Sequence, residues 1–232
     1  MTAYYRVYGI VDATFEEPGT QLLPYGAIAA VIDGPFDGPP TRDRAALLHH
    51  AQLLDRIATR APVLPARFGT VLTDLSCAPL AAHQQEFLAG LERLRGHVQF
   101  SVTARHVRQV ILREVVDTRP DIAQLCHTDG YQARVRLGEL VAHALAATRN
   151  ADAHELWSRL APLAAGATPR PAGDQEAPFG GAFLVSHDQR ASFEAAAEEL
   201  ARRWAGRARI RLLGPTAAYD FVAPALALAD GG

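Results

Sequence analysis

The sequence predicts an α+β protein of two domains. The first is a ferredoxin-like antiparallel sheet with helices on one side, and the second combines helices with a small sheet. Three observations carry that reading. Strand-like apolar alternation occurs in both halves, helical spacing of three and four separates the strands, and Gly and Pro clusters punctuate the segments. A chain of 232 residues, 49% of them hydrophobic, is also long enough to build two separate cores.

Residues 4–12, Tyr-Tyr-Arg-Val-Tyr-Gly-Ile-Val-Asp, are aromatic and β-branched and predict a first strand. Tyr25 to Ile32 predicts a second, closed by Asp33-Gly34-Pro35. After Pro39-Pro40, Thr41 is placed to cap a helix whose Leu47, Leu48, Ala51, Leu54, Ile57 and Ala58 share one face. Pro62 to Leu72 is extended, because two prolines in four residues bar a helix and disfavour a central strand near Pro65. A helix over 79–95 turns Leu80, Phe87, Leu88, Leu91 and Leu94 inward and ends at Gly96. Val98 to Arg105 alternates apolar and polar residues, as a strand buried on one face does. Val107, Val110, Ile111 and Val115 return to helical spacing.

Asp117-Thr-Arg-Pro120 predicts a boundary, giving domains over 1–117 and 118–232. Beyond it, Tyr131, Leu137, Val141, Ala144 and Leu145 mark a long helix. Leu156, Trp157 and Leu160 mark another, with Asn150-Ala-Asp152 between them. Residues 166–181 hold four glycines and three prolines and predict a mobile loop. Ala182 to Ser186 starts a strand, and Asp188 is placed to cap a helix with Phe193, Ala197, Leu200 and Trp204 on one stripe. After Gly206, Ala208, Ile210 and Leu212 alternate with Arg207, Arg209 and Arg211 in a last strand.

Composition excludes several classes of function. The net charge of −2 makes no electrostatic case for nucleic acid or for an anionic membrane surface. All 23 basic residues are arginine, which a compositional bias explains before any functional choice does. Cys77 and Cys126 stand alone, which suits a reducing compartment and makes neither a zinc knuckle nor a disulfide framework. The first residues lack the core of a signal peptide and no apolar run reaches membrane-spanning length, so a soluble cytoplasmic protein is expected.

No catalytic constellation assembles, and no cofactor or metal is expected. His49 and His50 diverge by about 100° on a helix, and His154-Glu155 lacks a second zinc-ligating histidine. His83, His97 and His106 could meet only through the tertiary fold. The consecutive Ser186-His187-Asp188 cannot form a proton relay. Two features remain. Arg67 interrupts an apolar extended segment, either as a solvated outward residue or as a charged anchor. Arg207, Arg209 and Arg211 form a one-sided basic row that either protects a sheet edge or docks an acidic partner.

Taken in order, several segments resemble the gas vesicle family GvpL/GvpF. They are Tyr5-Arg6-Val7-Tyr8-Gly9-Ile10, Val63-Leu64-Pro65-Ala66-Arg67-Phe68-Gly69-Thr70-Val71, Gly130-Tyr131, Phe183-Leu184-Val185, Gly214-Pro215 and Tyr219-Asp220-Phe221-Val222. Thr216-Ala217-Ala218 stands where members of the family often carry aromatic and proline residues. The resemblance implies a non-enzymatic, two-domain accessory protein of gas vesicle assembly, located in the cytoplasm and at the vesicle. Its implied partners are the small hydrophobic major shell protein and other gas vesicle accessory proteins. A minor structural component of the shell is the alternative, and a ligand-binding or enzymatic ferredoxin-like protein is a more distant one. The candidate partner-binding residues are Pro65, Arg67, Phe68, Arg209, Arg211 and Tyr219.

Overall fold

Strand β1 (Tyr4–Asp12) is buried from Tyr5 to Val11, which matches a central strand covered on both faces. The computed structural model describes residues 2–73, 75–170 and 177–222. The chain folds as two units, one of residues 1–100 and 214–232 and another of residues 101–213. The position expected for the boundary, after residue 117, falls at the end of a helix inside the second unit.

In the first unit, β1 pairs antiparallel with β3 (Ile28–Phe36) on one side. On the other side it pairs with two short strands, β4 (Leu64–Pro65) and β5 (Val71–Thr73). Strand β2 (Gln21–Tyr25) pairs with β3 at the sheet edge, where Pro24 costs no interior ladder bond. The single strand expected over 25–32 is therefore half of a hairpin turning at Gly26, whose φ is +58°. Three strands before the first helix also depart from the β-α-β-β-α-β order of a ferredoxin-like motif.

Helix α1 (Arg44–Ala58) is capped by Asp43, whose carboxylate accepts from the Ala46 amide at 2.8 Å; Thr41, the expected cap, offers its carbonyl to Arg6 instead. Asp43→Ala is expected to cost about 1 kcal/mol in urea unfolding, with Thr41→Val near neutral. The buried stripe of α1 is Ala46, His50, Leu53, Leu54, Ile57 and Ala58. Leu47 and Leu48, expected inside, are 46% and 50% exposed, because a stripe through positions 46, 50, 53, 54 and 57 turns them outward. Helix α2 (Ala78–Leu94) departs from helical geometry at His83 and buries Leu80, Phe87, Gly90, Leu91 and Leu94. Leu88 is only partly buried.

A core cluster joins Tyr8, Val11, Ala29 and Val31 of the sheet to Leu53, Leu54 and Ile57 of α1 and to Ala217 near the end of the described chain. Small residues at 216–218 thus allow close packing: Ala217 and Ala218 are 0% and 5% exposed.

Strand β6 (His97–His106) begins in the first unit and continues in the second. Val98, Phe100, Val102 and Ala104 are buried, as their alternation predicts. Gln99, of the opposite parity, is buried as well. Its amide nitrogen donates to the Asp220 carboxylate at 2.5 Å, and its amide oxygen accepts from the Asp220 backbone at 3.0 Å.

The second unit builds a four-stranded sheet in the order β7-β8-β6-β9, with β7 Gly166–Pro169, β8 Phe179–Ser186 and β9 Ala208–Thr216. The last residues of β9 belong to the first unit. Much of the loop expected over 166–181 is therefore the antiparallel pair β7 and β8; residues 171–176 of that segment lie outside the described residues. Helices α3 (Arg108–Thr118), α4 (Pro120–Leu125), α5 (Tyr131–Leu160) and α6 (Arg190–Arg203) complete the unit. Helix α5 runs unbroken for 30 residues where two helices were expected. Asp152 does not interrupt it, because its carboxylate is bonded to His106 and Arg207 rather than to its own backbone. The α6 entry is capped through a short 3₁₀ turn by Ser186, which accepts from the Gln189 amide, and not by Asp188.

Candidate docking site

In the first unit, Gly9 of β1 lies opposite Pro65. A side chain at Gly9 would place Cβ 2.6 Å from the Leu64 carbonyl oxygen, so the missing atom lets β4 come close. The Ala66 amide then donates to the Tyr8 carbonyl at 2.8 Å. Immediately afterwards the chain turns. The Thr70 amide and hydroxyl both donate to the Arg67 carbonyl, at 3.1 and 2.8 Å, and Gly69 adopts φ +89°. The Arg42 guanidinium donates to the Gly69 carbonyl at 2.9 Å from the other side, and the Val7 amide donates to the Thr70 carbonyl.

Beneath the turn lies His50. Its Nε2 donates to the Ala66 carbonyl at 3.1 Å, and its ring meets Phe68 edge-on at 5.6 Å and Tyr8 at 5.2 Å. Burial holds the imidazole below its ordinary pKa; the Ala66 carbonyl opposes that shift, and the charge of Arg6 reinforces it. His50 is therefore neutral at pH 7 and serves as a one-proton strut. Arg6 is itself only 8% exposed. It donates to the Thr41 carbonyl at 3.2 Å, lies 3.9 Å from the Asp33 carboxylate, and its guanidinium carbon is 5.6 Å from the Phe36 ring centre.

The turn distributes the candidate residues unequally. Pro65 is buried and shapes the turn from within. Arg67 projects into solvent and Phe68 is half-buried against His50. Leu47 and Leu48 of α1, the helix that carries His50, are exposed apolar residues. Tyr219, 40% exposed, follows Ala217, whose amide donates to the Asp55 carboxylate of α1 at 2.9 Å. The Arg67 turn and the terminal segment thus both seat on α1, one through His50 and the other through Asp55. In the second unit, Arg209 and Arg211 are exposed on the edge strand β9. Arg207 is not part of that row: it forms two bonds to the Glu114 carboxylate and one to Asp152.

The sequence reading missed His50, Arg6 and Asp55. The only available signal was a polar residue at a stripe or strand position otherwise occupied by apolar ones. Among the described residues, no three His, Cys, Asp or Glu side chains are grouped to hold a metal ion. Nor is any described helix long and apolar enough to cross a membrane.

An α+β chain with two antiparallel sheets joined in this order has the architecture of solved gas vesicle proteins. It superposes on the crystal structure of gas vesicle protein GvpF from Anabaena sp. PCC7120 with a TM-score of 0.83, at 19% identity over 95% of this chain and 98% of that one. GvpF from Microcystis aeruginosa gives 0.77 at 16% identity, covering 95% and 99%. No curated protein matches the sequence. Residues 5–223 match the family described as gas vesicle synthesis protein GvpL/GvpF, and the chain belongs to that family.

Proposed function

We propose that this protein is a gas vesicle assembly factor that binds the small hydrophobic major shell protein and keeps it soluble until it is placed in the growing wall. The family match over nearly the whole chain carries this reading. The physical logic is that a polymerising apolar subunit aggregates unless its sticky surface is covered before assembly. The first unit offers a surface of suitable chemistry. Arg67 and Phe68 stand on a braced turn, and Leu47 and Leu48 are exposed on the helix beneath it. Phe68 and the leucines would cover apolar surface, while Arg67 would fix orientation through its planar donors. Arg209 and Arg211, on an edge strand, form a second and separate basic surface for an acidic partner such as another gas vesicle accessory protein.

Co-expression with the major shell protein followed by capture tests the reading. Arg67→Glu/Phe68→Ala is expected to lower the captured shell protein at least tenfold while leaving the melting temperature within a few degrees. Equal capture by the folded variant removes this turn from the interface, and no capture by the wild type rejects the assembly-factor reading.

A further inference from the structure

The imidazole of His50 is 1% exposed, and its neighbours decide which nitrogen carries the proton. A carbonyl can only accept, so the bond to Ala66 places the single proton of the neutral ring on Nε2. Nδ1 is then a bare acceptor, buried and without a hydrogen-bond partner among the described residues. We propose that the turn over residues 66–70 is gated by this ring: closed, it keeps His50 neutral, and in mild acid it opens so that Nδ1 takes a second proton.

The closed turn offers that proton no favourable surroundings. From β1, the buried cation Arg6 acts on the ring, and Tyr8 packs against it at 5.2 Å. From α1, His49 packs its own ring 5.8 Å from Tyr8 and adds positive charge. The turn itself supplies the Phe68 edge and the Ala66 carbonyl, and the charges on and against it, Arg67 and Arg42, are both cations. From β3, the Asp33 carboxylate lies 3.9 Å from Arg6 with its side chain 52% exposed, so its charge is offset by Arg6 and by water. Burial therefore keeps the second proton off; the Ala66 carbonyl opposes this, and Arg6 and then His49 reinforce it.

The turn is the side that yields. Tyr8 belongs to the packed core cluster, whereas Phe68 is half-buried and Arg67 exposed. Opening hydrates Nδ1 and returns the ring to an ordinary proton affinity, near pH 6.5. Because the closed-state value is depressed, the closed turn has its full stability above the ordinary value and loses it as pH falls towards the closed-state one. Between pH 7.5 and pH 5 the opening equilibrium gains about thirtyfold when the closed ring takes no proton. The opening stands apart from the docking reading; only its consequence, weaker capture through Arg67 and Phe68 in mild acid, rests on that reading.

Amide hydrogen exchange of the full chain, without a partner, tests the gate between pH 7.5 and pH 4. Protection, corrected for intrinsic exchange, is read at the Ala66 amide, bonded to the Tyr8 carbonyl, and at the Thr70 amide, bonded to the Arg67 carbonyl. Both are expected to lose at least tenfold in protection by pH 5, with the fall beginning near pH 6.5. At each pH they are expected to exchange at least tenfold faster than Ala30 and Val31 of β3, which marks the opening as local. His50→Gln keeps an N–H for the Ala66 carbonyl but cannot titrate, so its turn amides are expected to change less than threefold over the same range. Three results would overturn the proposal: wild-type protection unchanged down to pH 5, turn amides that exchange only as fast as those of β3, or the same fall in folded His50→Gln. Should that variant fail to fold, the wild-type onset decides, since a fall confined below about pH 4.5 belongs to a carboxylate and not to His50.

Discussion

Gly9→Ala is expected to lower the melting temperature of the first unit by roughly 10 °C, from a loss of about 3 kcal/mol. The added methyl group would sit 2.6 Å from the Leu64 carbonyl oxygen and 3.1 Å from side-chain carbons of Leu54 and Val63. Two of those neighbours are packed core residues and the third is backbone, so the strain cannot be relieved by rotating a flexible side chain. The cheaper escape is for β4 to move away from β1. That movement stretches the Ala66-to-Tyr8 bond and withdraws the carbonyl that His50 holds. The loss of stability is therefore expected to come with disordered amide signals over residues 64–70 and reduced capture of the shell protein. Gly38→Ala is the control, since its Cβ would meet nothing within 4 Å. Equal melting of the two variants would mean that the close approach at Gly9 does not hold the turn.

Arg207→Ala is expected to destabilise the second unit by about 3 kcal/mol at neutral pH. Arg207 is the shared cation of two carboxylates, and Asp152 is only 7% exposed. Burial alone would raise the Asp152 carboxyl. Hydrogen bonds from His106 and Arg207, aided by their charge, overcome burial and hold it below its ordinary value. A depressed folded-state value means that Asp152 contributes stability above its unfolded pKa and loses it as pH falls through the folded one. The difference between wild type and Arg207→Ala is thus expected to be full at pH 7 and to shrink below about pH 4. Urea unfolding at several pH values reads this directly. A difference constant across that range would show that Arg207 acts by packing and not through the carboxylates.

Element type was legible wherever local composition or alternation decided it. Tyr4–Asp12 reads as a strand because aromatic and β-branched residues dominate it, and the alternation from Val98 to Ala104 survives in the burial of β6. Helix α1 was legible in position but not in its buried face. Leu47 and Leu48 satisfy helical spacing as well as His50 does, and only the neighbouring sheet and the Ala66 carbonyl select the histidine. The interruption expected at Asn150–Asp152 failed for a similar reason. An aspartate inside a helix is unfavourable until distant groups, here His106 and Arg207, take up its oxygens.

In the candidate site, the family motif located Arg67 and Phe68, yet nothing local distinguished them from Pro65, which the fold buries. The arginine row on the last strand holds for the exposure of Arg209 and Arg211 and breaks at Arg207. Position 207 lies before the strand, in the turn after α6, where Glu114 and Asp152 lie within reach.

By itself, the order of residues determined the α+β class, most helices and strands, and membership of the GvpL/GvpF family, because periodicity and motifs are properties of neighbours along the chain. Only the tertiary structure decided that residues 214–222 join the first unit, that Gln99 clasps Asp220, that His50 and Asp152 become buried supports, and that the half-buried Asp55 holds the Ala217 amide. Each of those outcomes depends on a polar atom finding a partner between 16 and 162 positions away. Such a partner is set by where the backbone returns, and local composition does not encode that return.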